Sequence, residues 1–476
     1  MLGLDAKFLY SETSTAHMHT LKVAVLDLSK LPAGLSFDDL IGGIGHQLHR
    51  LPQFRRRTVP VPLGLGHPVW VEDPHFDLAR HVTRRRALPP GGPRQLAAVV
   101  AQVAGTPLPR DRPLWEMVVV EGLADHQVAV VAKIHHALAD GAAAVALLRN
   151  VVMGAAEDDP GAEDPWRPEA IPNRRQLLRL AAREHLTRLE GIPRLLARSV
   201  RGLRDSQARR RTMAVKPPLP FETPRTSLNV SLDAGRTYAM TTLPLEALKS
   251  IRRDQGTTLN DVYLAVCAGA LRDRLLAAGE LPDRSLVAGV PVSTDPDLLR
   301  MEGNRVDNLY VAIGTHIADP LERLRSIAAE TRASKEVRSV FGNDLLEQRA
   351  AVVPPQLYAL TVRTWGLTRL ANHLRPPLNV ILSNVPGPRD PLAFGDTPLE
   401  AIYSVGPILE GIGLNITAWS YVDALHVSVL GCPASLPDPW PLVESLQVAL
   451  DELLAASAAA TPTPEAAPVA EATGPD

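Results

Sequence analysis

The sequence predicts an α/β protein built from two related lobes. Its 476 residues are about three times the usual length of one domain. With 45% hydrophobic and 21% charged residues, the chain has the composition of a folded globular protein rather than a disordered or fibrous one. Short apolar runs alternate with helical patterns in mixed order before and after an acidic, proline-bearing segment at 155–172, which favours two lobes that each mix strands and helices.

The first lobe is predicted over 1–170 and leads to a polar cluster. Met117–Val120 and Val128–Ile134 are apolar runs joined by a short polar turn, the pattern of two antiparallel strands. The sequence HHALADG (135–141) follows at once, and the apolar spacing after Gly141 predicts a helix. The polar cluster is therefore expected where a strand ends and a helix begins.

A basic connector is predicted over 171–220. Between Arg174 and Arg211 there are 12 arginines and only three acidic residues. Leucines are interspersed, so the segment can form a basic amphipathic helix, which we expect to be broken near Gly191 and Pro193. Such a helix either packs its leucines on the protein or lies on an anionic lipid surface.

The second lobe is predicted over 221–455. Its expected strands are Leu286–Val292, Val380–Leu382 and Leu425–Leu430, and its expected helices are Thr258–Ala278 and Pro320–Ser334. The remaining segment, 456–476, consists mostly of Ala, Pro, Thr and Glu, which is too little apolar bulk to offset the entropy of ordering, so a disordered tail is predicted.

Charge and cysteine content exclude several classes of function. A formal net charge of -2 gives no reason to expect a nucleic-acid partner. Two cysteines, Cys267 and Cys432, cannot form a disulfide framework and fit a reducing cytoplasm. The opening MLGLDAKFLY contains Asp5 and lacks an apolar core, and no run approaches the roughly 18 apolar residues of a membrane span. Neither secretion nor membrane spanning is expected.

The HHALADG cluster is where chemistry is expected. A neutral imidazole is well matched to taking a proton from a hydroxyl near neutral pH, which makes His136 the candidate general base. Asp140, four residues on, can either orient an imidazole or anchor the loop through an arginine, and Gly141 permits a backbone conformation or a close approach that a side chain would block. The alternative is that the two histidines are a structural pair. No metal site is expected, because adjacent histidines diverge on a strand and no HExxH or CxxC motif accompanies them.

Three common reaction classes lose their main support because their motifs are missing from the sequence. There is no GxSxG, GxxxxGK or GxGxxG, which argues against a serine hydrolase, a P-loop NTPase and a Rossmann enzyme. Neither cysteine lies beside a histidine in the sequence, so direct transfer in a ternary complex is the simpler expectation than a covalent enzyme intermediate.

Several segments together carry a family resemblance. HHALADG matches the HHxxxDG motif of acyl-CoA-dependent acyltransferases with the chloramphenicol acetyltransferase-like fold, which nonribosomal peptide condensation domains share. Further segments make the likeness more specific: LDAKFLYSE (4–12), His19, PQFR (52–55), PLWE (113–116), LNDV (259–262), GNR (303–305) and SNVPGP (383–388). Over about 3–455 the chain resembles the bacterial bifunctional wax ester synthase/diacylglycerol acyltransferase family.

The resemblance implies a two-lobed chloramphenicol acetyltransferase-like fold with a mixed sheet in each lobe and the active site in a tunnel between them. It implies transfer of a long-chain fatty acyl group from acyl-CoA to a diacylglycerol or a long-chain alcohol, with His136 as the base. By the same resemblance, His135 and Asp140 support the loop and Gly141 leaves room for the donor. Acyl-CoA is then a co-substrate, and no cofactor is expected. The implied setting is cytoplasmic, with peripheral association with a membrane or lipid-droplet surface.

The resemblance also extends to residues outside the histidine motif. Asn260 is implied as a donor to the developing oxyanion, although it can instead be the N-terminal cap of a helix. Substrate binding is implied for Gly141, Asp261, Asn384, Pro386 and Gly387. For Pro386 and Gly387 the alternative is a rigid turn that crosses between the lobes.

The sequence departs from the family pattern at two places. PVSTDPDLL follows Val290 where the family more often has an arginine after Pro-Val-Ser, and SLDAGR replaces the usual Pro-Ile before a glycine near Arg236. An atypical acceptor preference follows as an expectation. The alternatives are a related enzyme that acylates another hydroxyl or an amine, and a catalytically weak protein of the lipid-droplet surface.

Overall fold

Two six-stranded mixed sheets organise the chain. The computed structural model describes residues 1, 3–29, 36–138, 166, 168, 170–293, 306–339, 355–395 and 397–460. The first sheet has the order β11-β12-β1-β6-β5-β4, in which β4 and β5 run parallel and the other neighbours antiparallel. Its strands are β1 (His19–Asp27), β4 (Val82–Arg86), β5 (Trp115–Glu121), β6 (Gln127–His135), β11 (Ala393–Phe394) and β12 (Thr397–Val405).

The second sheet has the order β7-β14-β13-β10-β8-β9, with β8, β10 and β13 parallel to one another. Its strands are β7 (Thr237–Pro244), β8 (Val287–Ser293), β9 (Val306–Ala312), β10 (Val380–Val385), β13 (Leu414–Tyr421) and β14 (Ala424–Gly431). β13 and β14 are buried almost throughout. Both sequences still alternate apolar and polar residues, and four of the polar ones are buried inside the protein: Asn415, Thr417, His426 and Ser428. A small ribbon pairs β2 (Arg56–Val59) with β3 (Val69–Glu72).

Helices cover the sheets. They are α1 (Gly3–Ser11), α2 (Phe37–Gln47), α3 (Pro93–Gly105), α4 (Arg174–Thr212), α5 (Leu245–Gln255), α6 (Leu259–Ala277), α7 (Pro320–Ser339), α8 (Pro355–Leu367) and α9 (Trp440–Ala460). α6 is buried on nearly all sides between α5, α7, α9 and the second sheet, which accounts for the apolar run at 262–271. In the described part of the chain no helix has the length and apolar content needed to cross a bilayer.

The hydrophobic core joins the two lobes. The largest cluster lies between the second sheet and its helices. A second cluster combines Val23 and Val118 of the first sheet with Tyr238 and Leu430 of the second. The lobes therefore share buried surface rather than meeting only at their edges.

The structure confirms most of the predicted elements. The two strands before the histidine pair are β5 and β6, and the expected strands of the second lobe are β8, β10 and β14. Trp115 is buried, and its indole N–H donates to Phe54 O at 2.7 Å. The two cysteines are free and buried. The helix predicted after Gly141 falls outside the described residues.

Three expectations are corrected. The connector is one helix from Arg174 to Thr212 that continues through Pro193, so the predicted break is wrong. The tail does not begin at 456, because α9 runs to Ala460 with Ser457 buried against Gln255. The strands β11 and β12 belong by sequence to the second lobe but complete the first sheet, where β12 pairs with β1.

Candidate active site

The predicted histidine pair lies at the end of β6. His135 is the last residue of the strand and pairs with His19 of β1. His136 follows it, and its backbone N–H donates to Met18 O at 2.8 Å. His135 is completely buried, whereas His136 is partly exposed. The two imidazoles therefore have different surroundings, as expected for adjacent residues that point to opposite sides of a strand.

His135 is held from both of its ring nitrogens. Its Nδ1 accepts from the backbone N–H of Ala137 at 2.9 Å. In the neutral imidazole the proton is then on Nε2, which lies 3.2 Å from Glu12 Oε1. Burial lowers the pKa of His135, while the carboxylate of Glu12 acts in the opposite direction. We assign a neutral imidazole beside an ionised carboxylate, because burial is the larger effect on the ring.

Glu12 connects the histidine to two further groups. Its Oε1 accepts from the backbone N–H of Met18 at 3.0 Å, and its Oε2 forms an ion pair with Arg110. Burial raises the pKa of this carboxyl, but the contacts with His135, Arg110 and the Met18 amide outweigh it and lower the pKa to about 2. Glu12 is thus an anion that fixes the segment before β1 to the end of β6.

His136 is the more accessible imidazole of the pair. The ring of Phe8, on α1, stacks on it with centroids 5.0 Å apart and an angle of 16° between the planes. This contact holds one face of the imidazole while the side chain stays partly exposed. The arrangement suits a group that must meet a substrate. Asp140 and Gly141 lie outside the described residues.

A buried cation supports the same strand end. Lys133 Nζ, on β6, is completely buried and donates to Val103 O and Thr106 O at 3.0 and 2.7 Å. It also pairs with Glu116 at 2.6 Å. Burial lowers the pKa of Lys133, and Glu116 raises it. The lysine binds carbonyls at the C-terminal end of α3, where a positive charge is favourable, so its role is structural.

Asn260 and Asp261, adjacent in the sequence, have different roles in the structure. The N-terminal cap of α6 is Thr258, so the expectation that Asn260 caps the helix is wrong. Asp261 is buried, and its carboxylate accepts from the Thr258 hydroxyl and the Thr331 hydroxyl, each at 2.7 Å. Both carboxylate oxygens accept hydrogen bonds inside the protein, which favours a structural role, and substrate binding by Asp261 stays a prediction. No contact within the described residues joins Asn260 to His136.

Close packing explains the turn after β10. Asn384 lies in that strand opposite Ala418 of β13, and Pro386 and Gly387 follow it. A Cβ on Gly387 would lie 2.1 Å from Ser420 O and 2.3 Å from Trp419 Nε1. Only glycine fits there. This favours the turn alternative for Pro386 and Gly387, since the space beside Gly387 is filled by protein.

Glu12, Arg110 and Phe8 are site residues to which the sequence assigned no role. Glu12 is the last residue of LDAKFLYSE, a segment whose only predicted significance was its resemblance to the family. Its partner His135 is far along the chain, and no local periodicity connects them. Within the described residues, no group of three or more His, Cys, Asp or Glu is placed to hold a metal ion.

Comparison with known families covers most of the chain. Residues 1–263 match the family model described as the wax ester synthase/diacylglycerol acyltransferase catalytic domain, and residues 302–454 match the WS/DGAT C-terminal domain. A Mycobacterium tuberculosis protein named as a candidate diacylglycerol O-acyltransferase is 41% identical over 440 residues, 92% of each chain. A second protein of that organism with the same name is 36% identical over 468 residues, 97% of this chain and 98% of the relative.

Solved structures give the same result for the fold. The wax ester synthase/diacylglycerol acyltransferase of Marinobacter aquaeolei VT8 superposes with a TM-score of 0.63 at 26% identity, over 95% of this chain and 98% of that one. The first condensation domain of the CDA synthetase superposes with a TM-score of 0.56 at 16% identity, over 97% of both chains. The second likeness concerns the fold alone.

Proposed function

The chain belongs to the wax ester synthase/diacylglycerol acyltransferase family and is an acyl-CoA-dependent O-acyltransferase; on that premise we propose that it transfers a long-chain fatty acyl group to the hydroxyl of a diacylglycerol, of a long-chain alcohol, or of both. The observation that carries the proposal is the unequal burial of the histidine pair, with His135 fixed inside the protein and His136 accessible.

In the proposed reaction His136 is the general base. It takes the proton of the acceptor hydroxyl as the oxygen attacks the thioester carbonyl of acyl-CoA, forming a tetrahedral intermediate. The carbon–sulfur bond then breaks and the CoA thiolate leaves with the proton that His136 had taken. The ester and free CoA are the products, and the imidazole returns to its neutral form. No cofactor other than the co-substrate acyl-CoA enters this scheme.

The surroundings of His136 support this role. Phe8 fixes the ring plane, and the backbone bond from His136 to Met18 fixes the position of the residue beside β1. His135, Glu12 and Arg110 hold the adjacent turn. A base positioned before the substrate arrives avoids part of the entropic cost of reaching the transition state. For the oxyanion donor, Asn260 remains the proposal that the family resemblance implies.

The proposed substrates are lipids, so we also propose peripheral association with a membrane or lipid-droplet surface. α4 supports this, because its backbone is helical throughout and it carries 12 arginines between Arg174 and Arg211. An anionic surface attracts basic residues by about 1 kcal/mol each. Two arginines at the C-terminal end of α4 also contact protein: Arg209 pairs with Glu336 and Arg210 donates to Pro217 O.

The test measures release of CoA by the purified full-length chain. Long-chain acyl-CoA is supplied alone, with dioleoylglycerol, with hexadecanol, or with a long-chain amine. The proposal expects CoA release that depends on an alcohol acceptor, together with the corresponding ester. Release that needs no acceptor would indicate a covalent intermediate or hydrolysis, release only with the amine would indicate the related acyltransferase, and no release would indicate a protein that binds lipid surfaces.

A further inference from the structure

α8 presents an apolar stripe to solvent. Leu357, Leu360 and Leu367 are 58%, 62% and 85% exposed. At 100° per residue these three side chains fall within one narrow sector of the helix. A soluble helix normally turns its leucines toward the core. The opposite arrangement in α8 indicates a surface that contacts something other than water.

The stripe extends beyond both ends of the helix. At one end Gln356 donates to Leu63 O, which places the exposed Leu63 and Leu65 beside α8. At the other end the chain continues to the exposed Leu374, and Phe221 N–H donates to Pro377 O at 3.4 Å.

We call this set the α8 surface. Of the 15 large apolar side chains exposed within the described residues, eight belong to it. They are Leu63, Leu65, Leu219, Phe221, Leu357, Leu360, Leu367 and Leu374. Such concentration marks an interaction site, whereas exposed apolar residues scattered singly do not.

The charge around the α8 surface is positive. Residues 355–389 contain four arginines and no aspartate or glutamate, and Arg363, Arg369 and Arg375 are exposed. The arginine-rich α4 packs against the Pro62–Gly64 turn at the edge of the surface. Two acidic side chains lie nearby and accept hydrogen bonds from the protein. Glu222, beside Phe221, accepts from Leu219 N–H at 2.9 Å, and Glu410, beside Gly366 of α8, accepts from the Thr15 hydroxyl at 2.6 Å. The apolar residues are therefore bordered mainly by basic ones.

We propose that the α8 surface docks the protein on an anionic phospholipid bilayer. Leucine and phenylalanine side chains bury in the acyl boundary, while arginines at the rim bind lipid phosphates, as in other interfacial helices. A second copy of this chain fits less well, because a symmetric contact would bring the arginines of both copies together. The surface is distinct from the predicted adsorption through α4, to which it adds an apolar component.

Docking there brings lipid close to the candidate base. α8 packs on α1, where the hydroxyls of Tyr358 and Ser11 share a hydrogen bond at 3.0 Å. Phe8 of the same helix stacks on His136. One helix thus separates the α8 surface from the imidazole. This last consequence rests on the proposed reaction at His136, whereas the docking rests only on the proposed peripheral association.

The test compares flotation of three full-length proteins with phospholipid vesicles. The first is the wild type and the second carries Leu357→Ser, Leu360→Ser and Leu367→Ser. The third is a control with Leu88→Ser, Leu276→Ser and Val448→Ser, which removes three side chains that are also at least half exposed but lie outside the α8 surface. The vesicles contain phosphatidylcholine with 30% phosphatidylglycerol, or phosphatidylcholine alone.

We expect the α8 variant to partition at least tenfold less onto the anionic vesicles, with the control within twofold of the wild type. Circular dichroism and melting should match in all three proteins, because the replaced side chains are exposed. Equal flotation of the α8 variant and the wild type would overturn the proposal. It would also be overturned if light scattering showed a wild-type dimer that the α8 variant cannot form.

CoA release from detergent-dispersed substrate separates this proposal from the proposed function. We expect the α8 variant to retain that activity within about twofold. A wild type that floats but releases no CoA would count against the acyltransferase assignment and leave docking intact. A wild type that releases CoA but does not float would count against docking and peripheral association, and leave the acyltransferase assignment intact.

Discussion

Replacing Glu12 with glutamine removes one charge from the contacts that fix the histidine pair and changes the shape of the side chain little. The amide can still accept from Met18 N–H. It no longer presents an anion to His135 Nε2 at 3.2 Å or to Arg110. We expect the turn after β6 to become less well fixed, and the adjacent His136 to lose part of its positioning.

The structure gives the size of the stability effect. Lowering the pKa of Glu12 from 4.5 to about 2 would correspond to ~3 kcal/mol if the whole shift came from contacts of the folded state. The Arg110 side chain is 41% exposed, so solvent screens its share, and a neutral His135 contributes no net charge. We therefore expect Glu12→Gln to lower the free energy of unfolding by about 1–2 kcal/mol at pH 7.

The pH dependence has a definite sign. The folded pKa of Glu12 lies below the unfolded value, so its stabilisation is complete above about pH 4.5 and is lost as the pH falls toward about 2. Urea denaturation of wild type and variant should differ by a constant amount from pH 6 to 8. The difference should shrink below about pH 4.5, where the wild-type carboxylate begins to take up protons.

Kinetics distinguish positioning from mere stability. We expect kcat for CoA release to fall about tenfold with a smaller change in KM, because misplaced catalytic groups lose rate. Glu121→Gln, at the end of β5, is the matched control and should behave like the wild type. A Glu12→Gln protein with wild-type kcat and an unchanged free energy of unfolding would show that the Glu12 carboxylate neither stabilises the turn nor positions His136.

Three further predictions concern other parts of the protein. His135→Ala should lose more thermal stability and less turnover than His136→Ala, because His135 is completely buried and held at both nitrogens; calorimetry and CoA release test this, and equal rate losses with unchanged melting would contradict it. Gly387→Ala should lower the melting temperature by several degrees, because its Cβ would lie 2.1 Å from Ser420 O. An unchanged melting curve would show that the turn can shift. Gly256→Ala controls for backbone strain alone, because Gly256 has φ +61° and nothing lies within 4 Å of the added Cβ. Replacing Arg194, Arg198, Arg201 and Arg204 of α4 with Gln should weaken flotation on phosphatidylglycerol vesicles and reduce its salt dependence, and flotation equal to that of the wild type would make α4 a solvated linker.

Elements with strong local patterns were predictable from the sequence. β5, β6 and β14 follow from apolar runs bounded by polar turns, and α7 from its spacing. The pairing of strands across the lobes was not predictable, because nothing in the sequence of β12 specifies β1 as its partner rather than a strand of the second sheet. The same limit explains why Glu12 received no role: its contact with His135 exists only once the chain has folded.

Composition alone did not predict where some helices begin and end, because specific contacts override it there. Pro193 predicts a break in α4, yet the helix continues, since the cost of one proline can be offset over a long helix. A small-residue tail is predicted from 456, yet Ser457 is buried and bonded to Gln255. At α6 the cap is Thr258, whose capping box with Asp261 also accounts for that aspartate.

Replacement of His136 by alanine tests whether this imidazole is the general base. The measurement is kcat for acceptor-dependent CoA release, with His316→Ala, on an exposed loop, as the matched control. We expect a loss of about 10²- to 10⁴-fold for His136→Ala, a native circular dichroism spectrum and no loss for the control. Turnover within about threefold of the wild type would contradict this role.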